Sequence, residues 1–270
     1  MKTKHATKAL EKEIIELSKT MSQKSIALKF GRTQSGIRLI LQRNGISKLK
    51  KSRLNMSHLP LNVNYFEKID SSEKAYWLGF ICADGNIKKT NNKVSLTSKD
   101  LEVIVGFKEA IDAGHAISKR INFDKRTNKT YTGYSIQIGN ELFVSHLINL
   151  GVTSDKTNVL DFPNIDEKYY SYFIAGLFDG DGSVGFRNNN KLRISLITTK
   201  EILDFIKILL INIGVDELSR TKVSKNKINV WKMYLYKNAD KFLRYIYSDD
   251  NFEYYLMRKY NIFKNETRIK

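Results

Sequence analysis

Two aspartates stand at matching places in two similar segments of this 270-residue chain. Asp84 lies in WLGFICADG, residues 77–85, and Asp181 lies in IAGLFDGDG, residues 174–182. Each acid follows a run of mostly apolar residues and comes directly before a glycine, and the two acids are 97 residues apart. Carboxylates are side chains that proteins use to hold hard divalent cations. Two of them in repeated surroundings are therefore the first candidates for chemistry.

Small residues recur in both segments at a spacing of four, which places them on one face of a helix. The pairs are Gly79 with Ala83 and Gly176 with Gly180. A stripe of small residues lets two helix backbones come into contact. The spacing therefore predicts a side-by-side helix pair that brings Asp84 and Asp181 together at one end.

Two ionised carboxylates at close range repel each other, so the pKa of one of them rises unless a cation lies between them. The expected cation is Mg²⁺, bound by Asp84, Asp181 and the backbone oxygens of Ala83 and Gly180, together with water and phosphate. This arrangement suits hydrolysis of a phosphodiester. The alternative is structural, because an Asp-Gly turn commonly follows a helix and glycine-rich helix pairs occur in inert cores. A single copy favours that alternative, whereas two symmetric copies favour catalysis.

Both copies continue with the same order of elements, so residues 72–270 are interpreted as a duplicated domain. Strands are predicted around 87–97 and 183–198, helices at 100–113 and 200–213, two more strands in each copy, closing helices at 140–150 and 239–247, and an extra helix at 252–263. Ile136 and Ile138 alternate with Gln137, as in a strand with one buried face, and 231–235 alternate in the same way. The predicted fold class is α+β, with two pseudo-symmetric αββαββα halves whose antiparallel sheets are covered by helices on one face.

The two segments resemble the two LAGLIDADG motifs of single-chain homing endonucleases. The resemblance extends over residues 72–264 through the repeat and the element order. It implies metal-dependent cleavage of both DNA strands, with the second acid of each motif, Asp84 and Asp181, binding the metals. The departures are mild: Trp77-Leu78 replaces Leu-Ala, and Cys82 stands where the first acid usually is. Cys82 is expected in the core, and its counterpart Asp179 is expected to cap or pair locally.

Four more catalytic candidates follow from the resemblance. A lysine after the last helix of each copy usually lies near the scissile phosphate in the family, and the matches here are Lys156 and Lys259. Such a lysine offsets charge on the pentacoordinate phosphate or tunes the attacking water. For Lys259, a solvated surface position is the alternative. Ser98 and Thr199 end the second strand of each copy, where the family often places a polar group that organises water.

Positive charge is concentrated at the N-terminus. Lys and Arg total 46 against 28 Asp and Glu, a net charge of +18, and residues 1–57 alone hold 14 basic and 3 acidic side chains, a net charge of +11. Such an excess favours a polyanionic partner. Residues 23–42 fit a helix-turn-helix, with Gly31 in the turn and Thr33 as the N-cap of the second helix; an ordinary helical bundle is the alternative. The side chains expected to reach DNA from that helix are Gln34, Ser35, Arg38 and Gln42.

Basic residues are also expected to point outward from the strands of both halves, where two related sheets would form a DNA-binding saddle. At a rise of about 3.3 Å per residue, two ten-residue halves span ~65 Å, which corresponds to about 20 base pairs. The candidates are Lys88, Lys93, Lys119, Arg120, Arg126, Arg187, Arg193, Arg220, Lys222 and Lys232.

The predicted organisation is a helix-turn-helix domain at 1–57, a linker at 58–71, a first half at 72–160 and a second half at 161–270. The expected activity is a Mg²⁺-dependent endonuclease that binds double-stranded DNA as a monomer. The alternatives are an RNA maturase that binds intron RNA and a non-cleaving DNA-binding regulator. The single cysteine and the absence of any apolar run near the ~20 residues of a membrane span or of a signal peptide predict an intracellular, reducing compartment.

Overall fold

A computed structural model describes residues 8–18, 21, 23–44, 59–124, 127–154, 159–186, 191–215, 219–222 and 229–269. The chain divides into two compact units, residues 1–55 and 56–270. No helix in the described ranges is long and apolar enough to cross a membrane.

The first unit is a group of three short helices, α1 (Lys8–Leu17), α2 (Gln23–Lys29) and α3 (Gln34–Arg43). Their shared core is formed by Ile14, Ile26, Ala27, Ile37, Ile40 and Leu41. Between α2 and α3, Gly31 adopts a positive φ of 58°, which a residue without a Cβ adopts at low cost. The hydroxyl of Thr33 accepts a 3.1 Å hydrogen bond from the Gly36 N–H at the start of α3. The predicted small all-α unit, its turn and its N-cap are therefore present.

The second unit contains two copies of the predicted αββαββα order. The first copy consists of α4 (Ser72–Asp84), β1 (Gly85–Lys88), β2 (Lys93–Ser98), α5 (Leu101–Ala110), β3 (Ser118–Asp124), β4 (Lys129–Gly139) and α6 (Glu141–Asn149). The second copy consists of α7 (Tyr170–Asp181), β5 (Gly182–Phe186), β6 (Leu192–Thr198), α8 (Lys200–Asn212), β7 (Ser219–Lys222), β8 (Trp231–Leu235) and α9 (Ala239–Ile246). A last helix, α10 (Met257–Ile269), follows the second copy.

Each copy folds its four strands into one antiparallel sheet, and the two sheets have the same topology. The strand orders are β1-β2-β4-β3 and β5-β6-β8-β7. Ile136 and Ile138 are buried while Gln137 is exposed, and Met233 and Leu235 are buried in the second sheet. The predicted alternation is therefore confirmed, and each sheet has one face in the core and one exposed face.

The described part of the expected linker, residues 59–71, packs against the first copy. Tyr65, Phe66 and Ile69 are buried in the core of the second unit. The Asn62 N–H donates to the Ile111 carbonyl at 2.9 Å, and the Gly114 N–H donates to the Pro60 carbonyl at 2.8 Å. The segment is thus joined to the loop after α5 by its backbone and to the core by its aromatic side chains.

The helix after the second copy begins later than predicted. The sequence pattern places it at 252–263, whereas α10 begins at Met257. Phe252, Tyr254 and Tyr255 instead lie in a turn in which their rings pack against one another at centroid distances of 4.7–5.7 Å. Aromatic residues that are buried in a turn give the same apolar pattern as a helical face, and that is the reason for the misplaced start.

Candidate functional site

The α4–α7 helix pair is the centre of the second unit, and the two helix backbones can approach closely because glycines lie at the contact. A Cβ at Gly79 would overlap the carbonyl oxygen of Phe173, and a Cβ at Gly176 would overlap the carbonyl oxygen of Tyr76. Backbone therefore meets backbone at both positions. The predicted side-by-side pair is present, and the small residues are needed there for space.

Asp84 and Asp181 are the last residues of α4 and α7, so the pair ends with both acids at one end. A Cβ at Gly180, the residue before Asp181, would lie 3.5 Å from Oδ2 of Asp84 and would overlap the Cβ of Ala83. Both aspartates are exposed. The structure therefore brings the two predicted acids together on an accessible surface.

Each acid lines a pocket of its own. The Asp84 pocket has a volume of about 310 Å³ and its polar lining includes Ser98, Lys99, Asp100 and Arg258. The Asp181 pocket, of about 70 Å³, is lined among others by Cys82, Thr198 and Thr199. The two pockets share no lining residue. A reactant could therefore be held separately at each acid.

The donor chemistry at the helix ends fits a hard divalent cation. Two carboxylates lie in the last turns of two helices, beside the backbone carbonyls of those turns. Oxygen donors of this kind are the ligands that Mg²⁺ prefers. Among the described residues, no group of three or more His, Cys, Asp or Glu could hold a metal.

Asp179, the first acid of the second motif, is fully buried and accepts three hydrogen bonds. The donors are the hydroxyl of Tyr76 at 2.9 Å, the hydroxyl of Tyr247 and the N–H of Leu256 at 2.9 Å. Burial raises the pKa of the Asp179 carboxyl to about 6, although the hydrogen bonds and the charge of Lys259 oppose the shift. The prediction that Asp179 caps or pairs locally is therefore wrong, because its donors are 68 to 103 residues away in the chain and join both motif helices to the segment before α10. Its counterpart Cys82 is a buried core residue, as predicted.

Lys259 is buried rather than solvated. Its Nζ donates to the carbonyls of Phe178 at 2.6 Å, Asp179 at 2.9 Å and Gly182 at 2.6 Å. An ammonium has three donors, so these contacts saturate it and fix the end of α7 beside Asp181. Burial lowers the pKa of the Lys259 ammonium to about 8, while the negative charge of Asp179 opposes the shift. The surface alternative for Lys259 is therefore wrong, whereas its predicted catalytic counterpart Lys156 lies outside the described residues.

A family model for LAGLIDADG-like domains matches residues 71–148 and 168–256, which is well over half of the chain. The chain belongs to this family.

Three known proteins illustrate what the LAGLIDADG-like chain is similar to. The replication factor C small subunit of Methanocaldococcus jannaschii is 25% identical over 183 residues, which are 67% of this chain and 9% of that much longer protein. The homing endonuclease I-WcaI, solved bound to its DNA recognition sequence, is 16% identical with a TM-score of 0.49 over 68% of this chain and 84% of its own. The N-terminal LAGLIDADG domain of WhiA is 16% identical with a TM-score of 0.44 over 71% of this chain and 90% of its own.

The two polar residues predicted at the strand ends of the LAGLIDADG-like halves occupy different environments. Ser98 is the last residue of β2, and its hydroxyl accepts a 3.1 Å hydrogen bond from the Asp100 N–H. Thr199 follows β6 as the N-cap residue of α8, and its buried hydroxyl donates to the Leu160 carbonyl. The register pairs Ser98 with Tyr134 and Thr198 with Trp231 at the same level of each sheet. Thr198, and not the predicted Thr199, is therefore the positional counterpart of Ser98.

The exposed face of the first sheet contains part of the predicted basic set. Lys88 pairs with Lys93 on that face, and Lys93 Nζ donates to the amide oxygen of Gln137 at 3.4 Å. Arg120 pairs with Gly133 and so shares the exposed face, whereas Lys119 pairs with Tyr134 and has the opposite orientation. Neighbouring residues of a strand face opposite sides, so Lys119 and Arg120 cannot both point into one groove.

The second sheet also contains part of the predicted basic set. Arg193 and Lys232 are on its exposed face, and Lys232 Nζ lies 4.9 Å from the ring centroid of Tyr234. Arg220 pairs with Met233 and Lys222 with Trp231, and the side chains of this strand lie outside the described part of the structure. Arg126 and Arg187 lie outside the described residues. In the first unit Gln34, Ser35 and Arg38 are exposed on α3, and the side chain of Gln42 is not described.

One polar contact near Asp84 was not predicted from the sequence. Arg258, at the start of α10, donates from Nε to Oδ2 of Asp100 at 3.0 Å, across 158 residues of chain. Both residues line the Asp84 pocket. The repeat gives no signal for this pair, because the residues that would match Arg258 and Asp100 in the other copy, Asp155 and Lys200, are not the same residue types.

Proposed function

We propose that this LAGLIDADG-like chain is a divalent-cation-dependent endonuclease that cuts both strands of a long double-stranded DNA site. The observation that supports the proposal most directly is the pair of exposed acids, Asp84 and Asp181, at one end of a close-packed helix pair. Each acid lines a separate pocket, as expected if each pocket receives the scissile phosphate of one strand.

Asp84, Asp181 and the carbonyls of Ala83 and Gly180 would hold the cations, for which Mg²⁺ is the expected ion. Bound Mg²⁺ would supply Lewis acidity and a more acidic water for attack on phosphorus. The chain itself contributes position: Gly79 and Gly176 set the separation of the helices, and Lys259 fixes the end of α7. In this proposal Ser98, with Thr198 or Thr199, orients water at the strand ends, and Lys156 acts near one phosphate.

The exposed faces of the two sheets are the proposed DNA-contacting surface. They display Lys88, Lys93, Arg120, Arg193 and Lys232, and the whole chain has a net charge of +18. Basic side chains on such faces gain affinity by releasing counterions from DNA. Polar neighbours such as Gln137 would contact base edges in the major groove.

The first unit would add a second DNA-binding surface. Its helix α3 exposes Gln34, Ser35 and Arg38 on one side, and residues 1–57 hold a net charge of +11. These features are those of a recognition helix. In this proposal the unit contributes affinity and not chemistry, because both acids lie in the other unit.

The test is an in vitro selection from duplexes with a randomised central region, in which cleaved molecules are recovered and sequenced. The parent protein is expected to enrich one long sequence in Mg²⁺ and none in EDTA, and the double variant Asp84→Asn/Asp181→Asn is expected to enrich none. A sequence that is bound by the parent but never cut would overturn the nuclease proposal in favour of a non-cleaving regulator. Preferential binding of a structured intron RNA would favour the maturase instead.

A further inference from the structure

The two acid pockets differ in the basic side chains that line them. The Asp84 pocket is lined by two basic residues, Lys99 and Arg258. The Asp181 pocket is lined by Thr198, Thr199 and mainly apolar or small residues, and no lysine or arginine from the described ranges lines it. Within the described ranges, basic side chains therefore line only the Asp84 pocket.

Arg258 is held in this pocket by Asp100. The contact is made by Nε at 3.0 Å, and 43% of the arginine side chain stays exposed against 19% of the aspartate. A guanidinium has four further N–H donors on its two Nη atoms. Arg258 is thus held by one carboxylate, and it lines the same pocket as Asp84.

Asp100 is placed for this role and not for capping a helix. It is the N-cap residue of α5, yet its side chain makes no capping hydrogen bond. Its own N–H donates to the hydroxyl of Ser98. The equivalent N-cap of α8 in the second copy is Thr199, which has no charge to offer an arginine.

The start of α10 is fixed on its other side. The Leu256 N–H donates to Asp179 and Lys259 is saturated by three carbonyls at the end of α7. Arg258 lies between these two anchored residues, so its backbone has little freedom. If Lys156 and Lys259 correspond, the residue matching Arg258 in the first copy is Asp155, which has the opposite charge.

We propose that Arg258 contacts the scissile phosphate of the strand that is cut at the Asp84 pocket, that Asp100 positions it, and that the other strand is cut without its help. This inference rests on the proposed nuclease function and deepens it. A planar guanidinium suits the role because it donates to Asp100 and to phosphate oxygens at the same time. Arg258 would stabilise the charge that develops on the phosphate at the Asp84 pocket.

The experiment uses the full-length chain and the duplex recovered by the selection, with each strand labelled separately. In single-turnover reactions in Mg²⁺, Arg258→Met is expected to slow one strand by about 100-fold, the effect typical of losing one transition-state donor, and to leave the other strand near the parent rate. Nicked duplex should accumulate. Asp100→Asn should slow the same strand by less, and Arg258→Lys should restore part of the rate.

A second measurement needs no divalent cation. Affinity is measured in EDTA for duplexes that have one neutral methylphosphonate at the scissile position of either strand. The parent should bind one of these duplexes more weakly than it binds the unmodified duplex. Arg258→Met should bind that same duplex and the unmodified duplex with equal affinity. The matched control is Lys264→Met, which removes another ion pair of α10, that of Lys264 Nζ with Asp250 Oδ2 at 2.7 Å.

The outcomes separate the two proposals. If the parent cuts and Arg258→Met slows both strands equally or neither, the inference is wrong while the nuclease function stands. Equal thermal destabilisation by Arg258→Met and Lys264→Met, without a strand-specific change in rate or affinity, would make the ion pair merely structural. If the parent cuts neither strand of any duplex, both proposals fail.

Discussion

Gly79 of α4 and Gly176 of α7 make equivalent contacts, each with the backbone of the other helix. Gly79 contacts the backbone of Phe173, three residues before Gly176, and Gly176 contacts the backbone of Tyr76, three residues before Gly79. The two contacts are therefore related by the symmetry of the repeat. They set the distance between the helices whose ends are the two acids.

Substitution at these glycines tests how rigid that distance is. Gly176→Ala should lower the free energy of unfolding by about 3 kcal/mol or more, because a backbone carbonyl cannot move away as a side chain would. Gly185→Ala is the control, since a Cβ there would meet nothing within 4 Å. The measurement is chemical denaturation of both variants. Equal stabilities would show that the helices can separate at little cost.

The acids themselves give the strongest functional prediction. Asp84→Asn and Asp181→Asn should each reduce double-strand cleavage by at least about 100-fold, because each removes a charge that would hold a cation against phosphate oxygens. Specific binding, measured in Ca²⁺, should remain or tighten, since a negative charge beside the DNA backbone is lost. Both strands should be affected in each variant because the acids meet at one place. Cleavage of both strands at the parent rate by either variant would remove that residue from the site.

Lys259→Met tests the buried ammonium. The variant leaves the carbonyls of Phe178, Asp179 and Gly182 without their shared donor, and it leaves the buried Asp179 without a nearby positive charge. Breaking a buried charged contact of this kind typically costs about 3–5 kcal/mol. Thermal and denaturant unfolding should show this loss beside a smaller one for Lys264→Met. A fully stable Lys259→Met that binds DNA but does not cut it would instead indicate a direct catalytic role.

Removal of residues 1–57 should weaken DNA binding and still leave a chain that cuts. The division of the chain into two compact units lies close to this point, between residues 55 and 56. For each phosphate contact that is lost, the slope of log K against log salt should become shallower by about 0.9. An unchanged slope in titrations between low and high salt would show that the N-terminal unit does not bind phosphates.

His115 predicts a dependence of stability on pH. It is buried, neither ring nitrogen has a hydrogen-bond partner in the described part of the chain, and burial, with a further contribution from the charge of Lys108, lowers its pKa. The folded state therefore favours the neutral ring, so stability should be greatest above the ordinary histidine pKa of about 6.5 and decrease as the pH falls below it. His115→Leu should reduce this decrease in urea titrations at pH 5 and 7. Parallel curves for the two proteins would contradict the prediction.

Local sequence patterns predicted the helices and strands, but they did not predict how the strands pair. The repeat, the element order and the buried alternation at Ile136 and Ile138 all follow from residue types and spacing. The orientation of Lys119 does not, because a shift of one residue in register reverses every side chain of a strand. The contact of Arg258 with Asp100 joins residues that are far apart in the chain and depends on how α10 packs. Nothing near either residue in the sequence distinguishes it from an ordinary surface charge.

The position of α10 also bears on how such proteins can be recombined. By sequence this helix belongs to the second half, but its Arg258 contacts Asp100 of the first half and lines the pocket of Asp84. A chimera that joins the first half of one relative to the second half of another would therefore import the arginine with the wrong partner. A hybrid protein that keeps this contact would have to take the first half and α10 from the same relative. Because the second half lies between them in the chain, the two sequences would have to be joined at two points.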